Sequence, residues 1–156
     1  MQLETARKIA MGFCDEIFEK GLVETALICG SIRRKKPEVN DADIVVVPQP
    51  NRDLSGYLKN FYKCERAGKK LVNLAYKGLD IDVYITDKEN FEVVKLIRIG
   101  SAEHNTKLCG IALKKGWQLH ADGRGLLDGD GNLISNTERG IVEKLLGKYV
   151  EPEERN

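Results

Sequence analysis

The sequence predicts an α+β (mixed α/β) fold in two lobes, and three observations carry that prediction. Residues 4–20 place Ala6, Ile9, Ala10, Phe13, Cys14, Ile17 and Phe18 at three- and four-residue intervals, the period of an amphipathic helix. Asp43-Ile-Val-Val-Val47 is a β-branched run that reads as a strand buried on both faces. Near Gly100 the pattern changes, from mixed strands and helices to a helix, a small hairpin and another helix. The 156 residues therefore divide into 1–99 and 100–156, enough chain to bury a core without staples.

The elements follow in order. The first helix stops at Gly21, and a short β segment over 25–29 ends abruptly at Gly30-Ser31, with a basic stretch beyond. The strand over 43–47 is closed by Pro48 and Pro50. Residues 51–64 read as helix, with Leu54, Tyr57, Leu58 and Phe61 at helical spacing. Residues 71–76 and 79–85 form a hairpin around Lys77-Gly78. In its second arm Leu79, Ile81, Val83 and Ile85 share one face, and Asp80, Asp82 and Tyr84 the other. Residues 88–99 are helical, Gly100 breaks the helix, and Ser101 caps a new one that runs to Lys115. Residues 117–119 and 126–134 suggest a small hairpin with Asp128-Gly-Asp-Gly131 at its turn. Asn136 or Thr137 caps a last helix, which Gly147 ends.

Composition narrows the function classes. With 25 Lys+Arg against 24 Asp+Glu the net charge is +1, and 42% hydrophobic with 31% charged residues describes a globular protein. No apolar run reaches membrane-spanning length, and Met1-Gln2-Leu3-Glu4 lacks the positive start of a signal peptide. Cys14, Cys29, Cys64 and Cys109 include no C-x-x-C pair and fit a reduced protein. The expectation is a cytoplasmic location, nucleoid-associated in a prokaryote, with no membrane partner. Basic clusters at 33–36, at Arg66 with Lys69-Lys70 and at Lys114-Lys115 stand apart from acidic ones at Asp41/Asp43, Asp80/Asp82, Asp128/Asp130 and 151–154. That separation suits a phosphate-rich ligand beside a cation site, and equally an ordinary mixed surface.

Three features bear on chemistry jointly. In Cys29-Gly30-Ser31-Ile32-Arg33-Arg34 a strand ends in backbone N–H groups and a hydroxyl, glycine permits close approach, and arginine forks match phosphate oxygens. In Asp41-Ala42-Asp43 two carboxylates point the same way from one strand, a repulsion that a divalent cation offsets. Asp80-Ile81-Asp82 lies on the polar face of another strand. Each feature alone is an ordinary turn, strand end or solvated face. Three carboxylates converging from two strands can hold two hard cations about 3.5–4 Å apart, the clamp used for in-line phosphoryl displacement.

In that order along the chain the features resemble the nucleotidyltransferase superfamily, and more closely the family X DNA polymerases, the group containing polymerase beta. Gly100-Ser101-Ala-Glu-His104-Asn105 resembles that family's Gly-Ser turn and following helix. Ile111-Ala-Leu-Lys-Lys-Gly116 with Leu119 resembles the next helix and strand, and Tyr149-Val-Glu-Pro152-Glu-Glu-Arg155 the family's ending. The resemblance implies a palm over 1–99, with a mixed sheet flanked by helices, and a small α/β nucleotide- and DNA-contacting lobe over 100–156. It implies Asp41, Asp43 and Asp82 as ligands of two Mg²⁺ ions, Mn²⁺ substituting, with Asp82 rather than Asp80 as the base that helps activate the primer 3′-hydroxyl. It implies Gly30, Ser31 and Arg34 on the β- and γ-phosphates, and Gly100, Ser101 and Asn105 on the sugar and base of the incoming nucleotide. The implied activity is transfer of a dNMP from a dNTP to a primer 3′ end on a DNA primer-template, by a monomer. The chain starts at the palm, so the small domain that grips the 5′ side of a gap is expected to be absent. Ile97-Arg98-Ile99 departs from the aromatic pair and Thr common before the Gly-Ser turn, positions that bear on ribose discrimination. Ala102 and Cys109 replace larger or charged residues at positions that bear on fidelity.

Other motifs carry less. Asp128-Gly-Asp-Gly-Asn132 opens like a calcium loop but places Leu133 and Arg139 where glycine and glutamate are required, so it reads as a turn. His104 and His120 lack partners at metal-ligand spacing, Trp117 reads as core, and residues 151–154 as a solvated tail. Two rivals remain: a template-independent or RNA-directed nucleotidyltransferase, and a non-catalytic nucleic-acid-binding or antitoxin-like module. With phosphate contacts supplying the affinity and a net charge of only +1, DNA binding is expected to be weak and distributive. Fluorescence anisotropy on a primer-template should show affinity falling steeply between about 50 and 200 mM salt. Tight binding indifferent to salt would contradict this.

Overall fold

A computed structural model describes all residues, 1–156. Helix α1 (Leu3–Glu19) is followed by strand β1 (Val23–Ile28), the one-turn helix α2 (Gly30–Arg33) and strand β2 (Asp41–Pro48). Then come α3 (Leu54–Phe61), the strands β3 (Lys63–Ala67), β4 (Leu71–Tyr76) and β5 (Leu79–Ile85), and α4 (Phe91–Ile99). The remainder is α5 (Ala102–Lys114), β6 (Gln118–His120), β7 (Gly125–Leu127), β8 (Leu133–Ser135), α6 (Glu138–Leu146) and a terminal 3₁₀ turn, Pro152–Glu154. No helix is long and apolar enough to cross a membrane.

The first five strands form one mixed sheet in the order β1-β2-β5-β4-β3, antiparallel except for the parallel pair β2 and β5. Strand alternation decides what each face carries. From β2 and β5, Ala42, Ile44, Val46, Ile81 and Val83 are fully buried with Ala6, Ala10, Phe13 and Ile17 of α1 and with Leu58 of α3. The opposite face carries Asp41, Asp43, Asp80 and Asp82 at one end, while Val45 packs there against Cys29 and Ile99 of α4. Burial pushes the Cys29 thiol up to about 12, which keeps it inert.

A second core unites Val93 and Leu96 of α4 with Leu108 and Ala112 of α5, Leu119, Leu126, and Ile141, Val142 and Leu145 of α6. Helix α4 thus serves both cores, with Ile99 turned to the large sheet. Ser101 caps α5 by accepting from the His104 N–H at 3.2 Å, and Thr137 caps α6 by accepting from Gly140 N–H at 3.0 Å. At the β4–β5 turn Lys77 and Gly78 both have positive φ, 48° and 83°, the twist a two-residue hairpin requires.

Two expectations are corrected. The helix expected over 51–64 is only Leu54–Phe61, and Cys64 lies in β3. That strand is charged because it is a sheet edge, where only Cys64 and Ala67 pack inward. The small hairpin is a three-stranded sheet, β6-β7-β8, with the Asp128–Gly131 turn between its last two strands. The glutamates of 151–154 are exposed as expected, but Arg155 just beyond them is 0% exposed. Its guanidinium pairs with Glu138 at 2.7 Å and donates from Nε to the Val150 carbonyl at 2.9 Å. Lys95 approaches the same carboxylate at 3.2 Å. Burial raises the Glu138 carboxyl, but Arg155 and Lys95 outweigh it and hold the group below its ordinary value.

Arg155→Ala should therefore cost about 3 kcal/mol in urea unfolding, the low end for orphaning a buried ion because Lys95 still faces Glu138. A change near zero would mean the clasp is not structural.

Candidate active site

The site is built on the β2–β5 pair. Its parallel register sets Asp41 beside Asp80 and Asp43 beside Asp82, all on the sheet face that α1 does not cover. Burial, then Asp41 and Asp82, push the Asp43 carboxyl up to about 6. Burial, then Asp82 and Asp80, raise that of Asp41 as well. These are carboxylates close enough to feel one another in a partly desolvated place.

Gly30 stands against this face. Its φ of +58° admits the turn from β1 into α2, and a Cβ there would lie 2.0 Å from Asp43 Oδ2. The Cys29 N–H donates to the Asp43 carbonyl at 2.7 Å, so main chain and side chain of Asp43 both abut the turn. Ser31 follows within α2 and is half-buried.

The three carboxylates share a face but do not close on one point: no group of three or more His, Cys, Asp or Glu side chains is gathered to hold an ion. The Asn73 amide of β4 donates to Asp82 Oδ1, on the side of β5 away from β2. Tyr84, on the same face of β5, has its ionisation pushed up to about 12, by burial first and Asp43 next. As a donor set, carboxylate oxygens on one face fit hard divalent cations such as Mg²⁺.

Arg34 does not extend toward open space. Its Nη1 donates to the Ile99 carbonyl beneath Gly100, and burial lowers its guanidinium from the ordinary value. It thereby ties α2 to the turn between α4 and α5, where the Gly100–Ser101 peptide is cis. The Ser101 N–H donates to the Arg155 carbonyl at 3.0 Å, so the tail clasp reaches this turn too. Asn105 donates from Nδ2 to the Ile97 carbonyl at 2.8 Å, leaving its buried Oδ1 without a partner. His104 is 6% exposed, and burial, then Arg155, lower it to about 4, so it is neutral near pH 7.

Sequence reasoning missed Asn73, the engagement of Tyr84 and Arg98, and the Glu138–Arg155 pair. The Arg98 guanidinium lies 4.1 Å from the Tyr84 ring centroid, a cation–π contact joining α4 to β5 beside Asp43. The signal for Asn73 was a single polar residue inside Leu71-Val-Asn-Leu-Ala-Tyr76. For Arg98 it was a basic residue before the Gly100 turn.

Comparison with known proteins gives three findings. The family model for the DNA polymerase beta thumb matches residues 96–156. Across its full length the chain superposes on Leishmania infantum polymerase beta, in a ternary gap complex with TM-score 0.77 at 16% identity, covering 70% of that chain. A ternary P/T complex of the same protein gives TM-score 0.76 at 17% identity, covering all of this chain and 76% of that one. No curated protein matches. The family X resemblance read from the sequence is borne out, as a polymerase beta-like fold overall and a thumb match in the C-terminal part.

Gly30→Ala is expected to push the Asp43 carboxylate aside and to cost about 1–3 kcal/mol, from strained φ and lost close approach. Urea unfolding of Gly30→Ala beside Gly21→Ala checks this, since Gly21 also has positive φ but nothing within 4 Å of its Cβ position. Equal losses would mean that Gly30 matters for backbone angle alone.

Proposed function

We propose that this chain is a metal-dependent DNA polymerase of the family X type, adding dNMP from a dNTP to a primer 3′-hydroxyl with release of pyrophosphate. The observation that carries the reading is the register placing Asp43 beside Asp82, with Asp41 two residues along on the same face, the face that Gly30 abuts. Asp41, Asp43 and Asp82 would hold two Mg²⁺ ions, Mn²⁺ substituting. When bound, such ions neutralise triphosphate charge and lower the pKa of the attacking hydroxyl.

The chain's own groups do the rest. Asp82 accepts the primer hydroxyl proton at a carboxylate oxygen. The Gly30-Ser31 turn offers backbone N–H groups and the serine hydroxyl to the β- and γ-phosphates. Arg34 joins them by exchanging the Ile99 carbonyl for phosphate oxygens, a charge-assisted bond about twice as strong as a neutral one. Gly100, Ser101 and Asn105 face sugar and base, with Asn105 giving up the Ile97 carbonyl. The enzyme would work as an intracellular monomer of low processivity, its sugar selectivity and fidelity altered where Ile97-Arg98-Ile99, Ala102 and Cys109 stand.

A non-catalytic nucleic-acid-binding module is the competing reading, favoured by the ungathered carboxylates and by the commitment of Arg34 and Asn105 to backbone carbonyls. Primer extension with and without template, using dNTPs and then NTPs, separates the readings. Templated, Mg²⁺-dependent dNTP incorporation is expected, and Asp82→Ala should abolish it with the fold intact. Untemplated or NTP-only extension would move the chain to another nucleotidyltransferase class. No incorporation under any condition would leave the binding module.

A further inference from the structure

The mixed sheet orders its strands β2-β5-β4 at the acidic face, so Asp82 has Asp43 on one flank and Asn73 on the other. Asn73 is the register partner of Asp82, and its amide donates to one carboxylate oxygen. Asparagine is a poor strand former, and its strand neighbours Val72 and Leu74 are buried hydrophobics. Alternation puts Val72 and Leu74 on the buried face and Asn73 on the acidic one, where its amide is directed at Asp82.

We propose that Asn73 is the positioning residue for Asp82, its amide holding one carboxylate oxygen so that the other is presented to a divalent cation. The proposal rests on reading the acidic face as a nucleotidyl-transfer site. A neutral donor suits the task. An Arg or Lys in its place would form an ion pair with Asp82 and compete with the metal, whereas an amide fixes the carboxylate and leaves its charge available. Asn73 and Asp82 line a cavity of about 380 Å³ with Asp41 and Asp80, so a ligand can reach the pair. Partners of this kind behind metal-binding carboxylates are worth about 10–100-fold in metal affinity or activity.

The test compares the full chain with Asn73→Leu (same size, no donor), Asn73→Gln (donor kept) and Asp82→Ala. Mn²⁺ affinity is read by EPR of the metal alone, kcat and KM by primer extension, and the Asn73 side-chain amide by ¹⁵N–¹H NMR in metal-free protein. Asn73→Leu should lose about 10–100-fold in Mn²⁺ affinity and in kcat, with the nucleotide KM unchanged and part of the loss recovered by Asn73→Gln. The Asn73 amide resonances should move in Asp82→Ala, a readout that holds whatever the folding of the Asn73 variants. Unmoved resonances, or an Asn73→Leu protein with wild-type Mn²⁺ affinity and kcat, overturn the proposal. If instead Asp82→Ala still extends primers fully, it is the reading of the site that fails.

Discussion

The parallel, in-register pairing of β2 with β5 is the constraint on which the acidic face depends. A slip of one residue would turn Ala42 and Ile44 outward and bury carboxylates beneath α1, which the two-residue period of strands makes prohibitive. Apolar side chains on the hidden face therefore hold the acids side by side. Burying a residue such as Ile44 or Ile81 contributes about 1.5–3 kcal/mol, and several such residues outweigh the repulsion across the sheet. Burial first, and that repulsion next, raise the Asp43 carboxyl to about 6.

A second theme is how tightly the two cores are joined around Gly100. Arg34 reaches from α2 to the Ile99 carbonyl, Arg98 stacks on Tyr84, and the Arg155 carbonyl receives the Ser101 N–H. Each contact links the large sheet or the tail to the same short turn. The groups expected to meet a nucleotide are thus the groups that brace the junction, so a ligand could shift that junction only by outbidding internal hydrogen bonds.

Much of the architecture was legible locally. Helices α1, α5 and α6 were visible in their apolar spacing and in Ser101, Thr137 and Gly147, because caps and stops act through adjacent residues. The faces of β5 were legible from alternation alone. Strand β3 was not, since Lys63-Cys-Glu-Arg-Ala67 owes its conformation to pairing with β4 rather than to its own pattern. Arg155 was singled out only as the end of the family-like Tyr149–Arg155 motif, and nothing near it in sequence points to Glu138. The acids could be assigned to polar strand faces, yet bringing Asp82 beside Asp43 requires the sheet order, which the family resemblance supplied. The engagement of Arg34 and Asn105 depends on backbone carbonyls at Ile99 and Ile97, positions no side-chain pattern encodes.

Anomalous diffraction from crystals soaked in Mn²⁺ with a non-hydrolysable dNTP tests the central claim most directly. Manganese peaks bridging Asp41, Asp43 and Asp82, with the triphosphate on the Gly30-Ser31 turn, are the result expected. A triphosphate bound elsewhere, or manganese that ignores these carboxylates at saturating concentration, would contradict the account.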